Sequence, residues 1–284
     1  MKAVELARPA ALAPSPAPVR RTGIRELFDY RQLVALLVVR ELKVRYKRSV
    51  LGLLWTMLNP LLLMIVYTVV FTTIMPVAQK NFSIFLLSAL LPWLFFQTAL
   101  IQGLNSVLSN QELIRKVRVP QAVFPLSVVG SNLVNFTLSM VPLFLLMFFL
   151  GQPFSRALFF LPVGVLLLAL FTSGVTLMLA TFTVFFRDVK HLAEVVLQML
   201  MYLSPIFYDL RAMGAHKNWW FSVFQTLLAL NPLTYLLALI REPVYYARLP
   251  DSQTLGIAAG LSLFSLLAGF RIFQRLAPRH IHYL

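Results

Sequence analysis

Residues 187–194, RDVKHLAE, bring Arg187, Asp188, Lys190, His191 and Glu194 together, a set that could in principle move protons. The cluster falls at a junction between apolar segments, where a solvated, salt-bridged turn is the simpler reading. His280 and His282 form an HxH in the C-terminal tail and read as exposed rather than metal-bound. The chain has no cysteine, which excludes disulfides, thiolate nucleophiles and cysteine metal sites. It also lacks a GxxxxGKS or GxxxxGKT phosphate loop, so any ATP-derived energy must be supplied by another chain. No residue is assigned a catalytic role.

The remaining charged chemistry is cationic. In residues 40–48, RELKVRYKR, Arg40, Lys43, Arg45, Lys47 and Arg48 stand against the single Glu41. Carrying this stretch across a bilayer would cost on the order of 10 kcal/mol, at about 2.5–3.5 kcal/mol per central charge. Val39, Leu42 and Tyr46 give it a narrow apolar stripe, which predicts a helix lying along the inner leaflet and bending near Gly52 into a first span. Anchoring to anionic lipid is the simplest task for its cations, and contact with an anionic ligand headgroup or a partner protein is the sharper one. Spacing does not separate the two.

The elements that would hold these groups are apolar helices. Of 284 residues, 59% are hydrophobic and 12% charged, about half the charge of a soluble domain, and the net charge of +15 gathers around the apolar segments. A multi-pass membrane protein follows, and nucleic acid is not expected as a partner. Uncharged windows at 49–79, 81–111, 119–155 and 157–186 each exceed the roughly 20 residues a crossing needs. A fifth crossing must start near Val189 and accept Glu194, and a last one lies in 252–270.

The window 218–240 is cut by Asn231-Pro232. Counting it as a seventh span would put Arg271, Arg275 and Arg279 outside, against the positive-inside rule. It is therefore expected to be a pair of short helices dipping into the outer leaflet, with both termini cytoplasmic and Lys80, Arg156, Arg211, Lys217, Arg241 and Arg248 outside. The four long windows carry no ionisable relay and show no repeat, which argues against a secondary transporter. Gly256 and Gly260 form a small-xxx-small pattern suited to close packing within or between subunits. Aromatic residues make up 13% of the chain. Most are expected at lipid or the interfaces, while Trp55, Trp93, Phe95 and Phe96, with Asn59 and Gln97, are candidates for lining a conduit. Polar residues such as Gln102, Asn105, Asn132 and Asn135 would serve the same path or bond helices together.

Four stretches occur in order: RELKVRYKRSVLGLLWTMLNP, LPWLFFQTALIQGLNSVLSNQELIRKVRVPQAVFPL, FFRDVKHL, and SPIFY followed by LNPLTYLL. Through them the sequence resembles the transmembrane subunits of ABC-2-type exporters, above all the Wzm-type branch that moves lipid-linked O-antigen, capsular or teichoic-acid polymers. The resemblance covers residues 25–275. It implies an all-α integral membrane protein of the ABC-2, or type V exporter, fold, with an amphipathic interface helix at 25–48 and a six-helix transmembrane domain at 50–275; the Ala/Pro-rich stretch 1–24, which has no signal-peptide run and departs from the family, is expected from its composition to be a disordered cytoplasmic tail, and 276–284 a second cytoplasmic tail. It further implies a homodimer in the bacterial inner membrane, two copies of a P-loop ATPase that bind ATP and Mg, and no cofactor in this chain.

By the same resemblance the loop 110–119, with Glu112, Leu113, Ile114, Arg115 and Lys116, is the ATPase-coupling element. Ser204, Pro205, Phe207, Tyr208, Trp219, Trp220, Asn231 and Pro232, within 204–240, belong to an outer gate. Export of a lipid-linked polysaccharide through a channel at the dimer interface is the expected function, with Arg40, Lys43, Arg45, Tyr46, Lys47 and Arg48 near the lipid diphosphate. An ABC-2 exporter of a small drug or lipid, and an ATP-independent transporter, are the alternatives.

Overall fold

A computed structural model of the chain describes residues 29–52, 54–70, 73, 80–116, 119–209, 219–280 and 283. The tail expected at 1–24 and the first residues of the expected interface helix, 25–28, lie outside them. The described residues form ten α-helices: α1 Arg31–Tyr46, α2 Leu54–Val69, α3 Phe82–Leu104, α4 Gln111–Lys116, α5 Val123–Phe149, α6 Leu161–Phe185, α7 Val189–Leu203, α8 Trp219–Leu230, α9 Pro232–Val244 and α10 Ser252–His280. Short 3-10 turns precede α4 at Leu108–Asn110 and α6 at Arg156–Phe160.

Four of these are long and apolar enough to cross a membrane: α3, α5, α6 with its preceding turn, and α10. At 1.5 Å per residue, α2 and α7 reach only about 22–24 Å, short of a hydrocarbon core of roughly 30 Å. The window 49–79 therefore yields a shorter described helix than its uncharged length suggests, and much of 71–79 lies outside the described residues. Helices α8 and α9 pass the same test only together and are bent by 76° at Asn231. The bend has a local cause. Pro232 starts α9 without an N–H, and the Asn231 side chain accepts from Leu233 N at 3.0 Å, capping the new helix.

Helix α3 is the axis of the bundle. Its 23 residues carry no charge, and it packs against α2, α5, α6, α7 and α9, so that Ile84, Phe85, Leu86, Ala89, Leu90 and Trp93 are wholly enclosed. A helix apolar on every side has no reason to face water, and here neighbours rather than lipid cover most of it.

The tightest helix pair is α6 with α10. A Cβ on Gly269 would lie 2.0 Å from the Gly174 carbonyl oxygen, and a Cβ on Gly174 would lie 2.2 Å from the Ser265 carbonyl carbon. Two bare backbones touch because neither carries a side chain there. Gly256 and Gly260 have nothing within 4 Å of a built Cβ, so their small-xxx-small pattern does no packing within the chain. Gly269→Leu should force α10 off α6 and destabilise the subunit by about 3 kcal/mol or more. The check is a markedly lowered melting temperature of the detergent-purified protein, with Gly256→Leu melting near the parent.

Between α1 and α2 the chain turns through two residues of positive φ, Arg48 at 65° and Gly52 at 50°. Gly52 takes this backbone readily, whereas Arg48 is strained by it. The turn is held by Ser49 N donating to the Tyr46 carbonyl at 3.2 Å and Gly52 N donating to Ser49 Oγ at 3.0 Å. The bend expected near Gly52 thus begins earlier, as α1 ends at Tyr46.

Candidate functional site

The face of α1 turned to the bundle differs from the expected stripe. Leu37 is buried against Val123 and Phe124 with Leu33 and Val34 beside it, while Val39 is 46% exposed. The inward line continues one helical period at a time to Glu41 and Leu42, and then to Arg45 and Tyr46. Two polar side chains are thereby pointed at apolar helices, and polar residues of α3 and α5 meet them. Arg45 Nη1 donates to Asn132 Oδ1 at 3.2 Å and its Nη2 donates to Gln102 Oε1. Asn132 Nδ2 donates to the same Gln102 oxygen at 2.9 Å, and the Tyr46 hydroxyl donates to Asn135 Oδ1 at 3.1 Å. Burial pushes the Tyr46 phenol above its ordinary value against the opposing pull of Arg45, so it stays a neutral donor.

These groups wall a cavity of about 400 Å³ bounded by α1, α2, α3 and α5. Trp55 and Asn59 of α2 and Phe95 of α3 line it, and Phe95 stacks on Phe136 with ring centroids 5.4 Å apart. Of the proposed conduit residues, the structure brings these three together. Trp93 and Phe96 go elsewhere: they are 0% and 3% exposed inside the bundle core, on a flank of α3 covered by its neighbours, where Phe96 stacks on Phe171 at 5.8 Å. Gln97 is half-buried and does not line the cavity.

The cations divide into two groups. Arg40 bonds Glu41 Oε1 at 3.0 Å and Asn110 Oδ1 at 2.9 Å, tying α1 to the turn that leads into α4, and the half-buried Arg45 is bonded to Asn132 and Gln102. Lys43, Lys47 and Arg48 are exposed.

Helix α4 presents Glu112, Leu113, Arg115 and Lys116 outward. Ile114 faces the other way and packs with Leu37, Val123 and Phe124 on one side and with Val107 and Ala122 on the other. At the far end of α10, His280 is fully buried rather than exposed. Its Nδ1 lies 2.8 Å from Gln121 Oε1, because α10 continues as helix to His280, into the expected tail, and lays this ring against Phe185 and Phe273. His282 lies outside the described residues. Of the 187–194 cluster, Arg187, Asp188, His191 and Glu194 are exposed and Lys190 is half-buried; only Arg187 and Asp188 lie in a turn, and the rest sit on the first turns of α7, with His191 3.7 Å from Glu194. Among the described residues no group of three or more metal-ligating side chains gathers.

The 204–208 turn and the 231–232 break meet. Asn231 Nδ2 donates to Ser204 Oγ at 3.0 Å and to the Leu203 carbonyl at 3.3 Å. Ser204 and Pro205 are buried, Phe207 packs edge-on to Tyr67 at 5.1 Å, and Tyr208 contacts Phe224 at 5.8 Å. Trp219 and Trp220 stack on one another at 3.7 Å and stay exposed. Asn231→Ala removes both a helix cap and the tie to Ser204 and should cost about 1–2 kcal/mol. A lowered thermal midpoint, partly restored in Asn231→Asp, checks this.

Arg241 escaped the sequence reading, which counted it as one of the outside cations. It is 7% exposed, stacks 4.0 Å over the Phe85 ring and donates through Nη2 to the Ile206 carbonyl at 3.0 Å. The one available signal was an arginine following LTYLLALI, a run too apolar for a freely solvated helix.

The sequence profile of ABC-2 type transporters matches residues 32–245. The chain is 38% identical over 251 residues, 88% of its length and 95% of the relative's, to the O-antigen export system permease protein RfbA of Myxococcus xanthus. It is 28% identical to a protein of the same name from Klebsiella pneumoniae, over 89% of this chain and 94% of that one. The polysialic acid transport protein KpsM of Escherichia coli is 24% identical, over 85% and 92%.

Proposed function

Because the chain belongs to the ABC-2 type transporter family, we propose that it is the membrane-spanning permease subunit of an exporter that carries a lipid-linked polysaccharide across the bacterial inner membrane. What carries the reading is near end-to-end similarity to O-antigen and polysialic acid export permeases, whose lengths this chain covers almost entirely. In this reading the subunit works as a homodimer with two copies of a P-loop ATPase. Six crossings arise if α2 and α7 span the membrane beside α3, α5, α6 and α10, with α8 and α9 dipping into the outer leaflet. The ATPase binds ATP and Mg, and this chain supplies a path and no catalytic group.

The contacts suggest how work reaches that path. Leu113 and its charged neighbours on α4 are free to meet the ATPase, while Ile114 is wedged between α1 and the start of α5. A push on α4 therefore moves α1, an effect reinforced by the Arg40–Asn110 bond. Through Arg45 and Tyr46, α1 is in turn bonded to α3 and α5 around the 400 Å³ cavity. Lys43, Lys47 and Arg48 attract the diphosphate headgroup to this edge, and the dimer channel opens beside it.

The cavity within one chain also suits export of a small drug or lipid, the second reading. A strain lacking this chain separates the two. Loss of surface polysaccharide, with an ATPase co-purifying stoichiometrically with the tagged permease, supports polymer export. An intact glycan coat alongside drug or lipid hypersensitivity would replace that reading with the second.

A further inference from the structure

Three cations of α10 take no part in the contacts described so far. Arg271, Arg275 and Arg279 are exposed, and among the described residues no hydrogen bond or ion pair reaches them. No Asp or Glu follows Asp251 in the sequence, so α10 itself holds no carboxylate to answer them. Spaced by four residues, they stand on one face, about 6 Å apart along the axis. Arg279 lies in the last turn, where the helix dipole favours any cation. Arg275 and Arg271 lie further in, beyond the reach of that effect. A cytoplasmic end asks for cations, but not for cations that share a face.

The same face continues in apolar form toward the other end of the helix. Leu267 and Phe264 are 41% and 72% exposed, and Gly260 beyond them has nothing within 4 Å of a built Cβ. The opposite side of α10 packs on α6, with Phe270 and Phe273 buried among Leu177, Ala180 and Val184.

Depth determines what meets the exposed face. With Ser252, where α10 begins, at the outer boundary, a hydrocarbon core of roughly 30 Å ends about twenty residues along, near Arg271. Arg271 and Arg275 then bracket the phosphate level of the inner leaflet, and Arg279 lies about 6 Å further into the headgroup layer. One leaflet of acyl chain, roughly 15 Å deep, covers about ten residues, to the level of Gly260. A soluble protein could reach Arg279 but not the level of Arg271.

We propose that this face of α10 binds one anionic glycerophospholipid of the inner leaflet, a phosphatidylglycerol. Arg271 and Arg275 hold its phosphate between two guanidiniums, whose paired N–H groups match phosphate oxygens. An acyl chain lies over Leu267 and Phe264 and ends against the bare flank at Gly260. Arg279 selects among headgroups: it repels one that ends in an ammonium and accepts one that ends in hydroxyls. The bound lipid fixes the height of α10. Because His280, the next residue, meets Gln121, the segment that leads out of α4 is held at the same depth. The proposal rests on the reading that α10 ends on the cytoplasmic side.

The test titrates the full chain, purified in mild detergent and delipidated, with phosphatidylglycerol, phosphatidylethanolamine and phosphatidylcholine of identical acyl chains, and counts bound lipid by native mass spectrometry. Phosphatidylglycerol should bind roughly tenfold more tightly than the other two. Arg271→Gln/Arg275→Gln should lose one phosphatidylglycerol per subunit, its affinity falling roughly twentyfold at about fivefold for each cation. Lys43→Gln/Lys47→Gln/Arg48→Gln should keep that lipid, and Arg279→Gln should keep it while letting phosphatidylethanolamine compete. All these side chains are exposed, so every variant should melt near the parent in phosphatidylcholine. Equal binding of the three lipids by the parent, an unchanged count in the double variant, or displacement by equimolar polyprenyl diphosphate would each overturn the proposal. Loss of a co-purifying ATPase from the double variant would do so too, by giving the arginines to a protein. Orientation is judged separately: Tyr283→Cys, the only thiol in this cysteine-free chain, should react with a membrane-impermeant maleimide only after the cells are opened.

Discussion

Arg45→Glu is expected to remove surface polysaccharide almost completely, while the double variant Lys47→Glu/Arg48→Glu leaves a folded protein with reduced export. The three cations are near neighbours in sequence, but their surroundings differ. Arg45 satisfies Asn132 and Gln102 between helices, so a carboxylate there faces two amide oxygens and repels both. Asn132 is buried, and its acceptor left unpaired costs about 1–3 kcal/mol, whereas Gln102 is exposed and can turn to water. Against a total stability of roughly 5–15 kcal/mol, that is enough to loosen α1 from α5. Lys47 and Arg48 are exposed, and their reversal changes the field at the membrane surface without opening the fold. Measured by surface immunoblot beside thermal melting, Arg45→Glu should lose both glycan and stability, and the double variant glycan alone. Full export by the double variant would remove the headgroup role given to these cations.

The second large effect is at α4. Replacing Glu112, Leu113, Arg115 and Lys116 together by alanine should release the ATPase and stop export, with little change in melting temperature, because these four side chains face outward. Ile114→Ala should do the reverse in part. It removes half-buried apolar contact with α1 and α5, at a cost of about 1–3 kcal/mol, while leaving the docking face in place. Pull-down of the tagged permease followed by ATPase assay distinguishes the two. ATPase retained by the quadruple variant would show that docking lies elsewhere.

Long uncharged windows made α3, α5, α6 and α10 legible from composition alone, and Asn231-Pro232 marked the bend between α8 and α9. What composition reports is preference for oil over water. It does not say whether oil means lipid or a neighbouring helix, which is why Trp93 and Phe96 were expected along a path and are found in the core. The inward face of α1 was misread for a related reason. Apolar residues lie on several of its sides, so Val39 looked like part of a stripe with Leu42 and Tyr46, while the packed line runs through Leu33, Leu37, Leu42 and Tyr46. Gly174 and Gly269 carry no signal until their partner is known, whereas Gly256 and Gly260 carry a signal with no contact inside the chain. His280 was misplaced, and the burial of Arg241 was missed, because a titratable residue is assumed wet unless its neighbours are known.

The glycine contact between α6 and α10 also bears on how the subunit is made. Gly174 and Gly269 are 95 positions apart, and the chain is synthesised from its N-terminal end. Helix α6 must therefore enter the bilayer with a bare notch in its flank and wait while α7, α8 and α9 follow. During that interval any passing helix with a small residue at the right height can occupy the notch. Slower synthesis of 190–250 should lengthen the vulnerable period, and the yield of assembled protein should then depend on translation speed as well as on final stability.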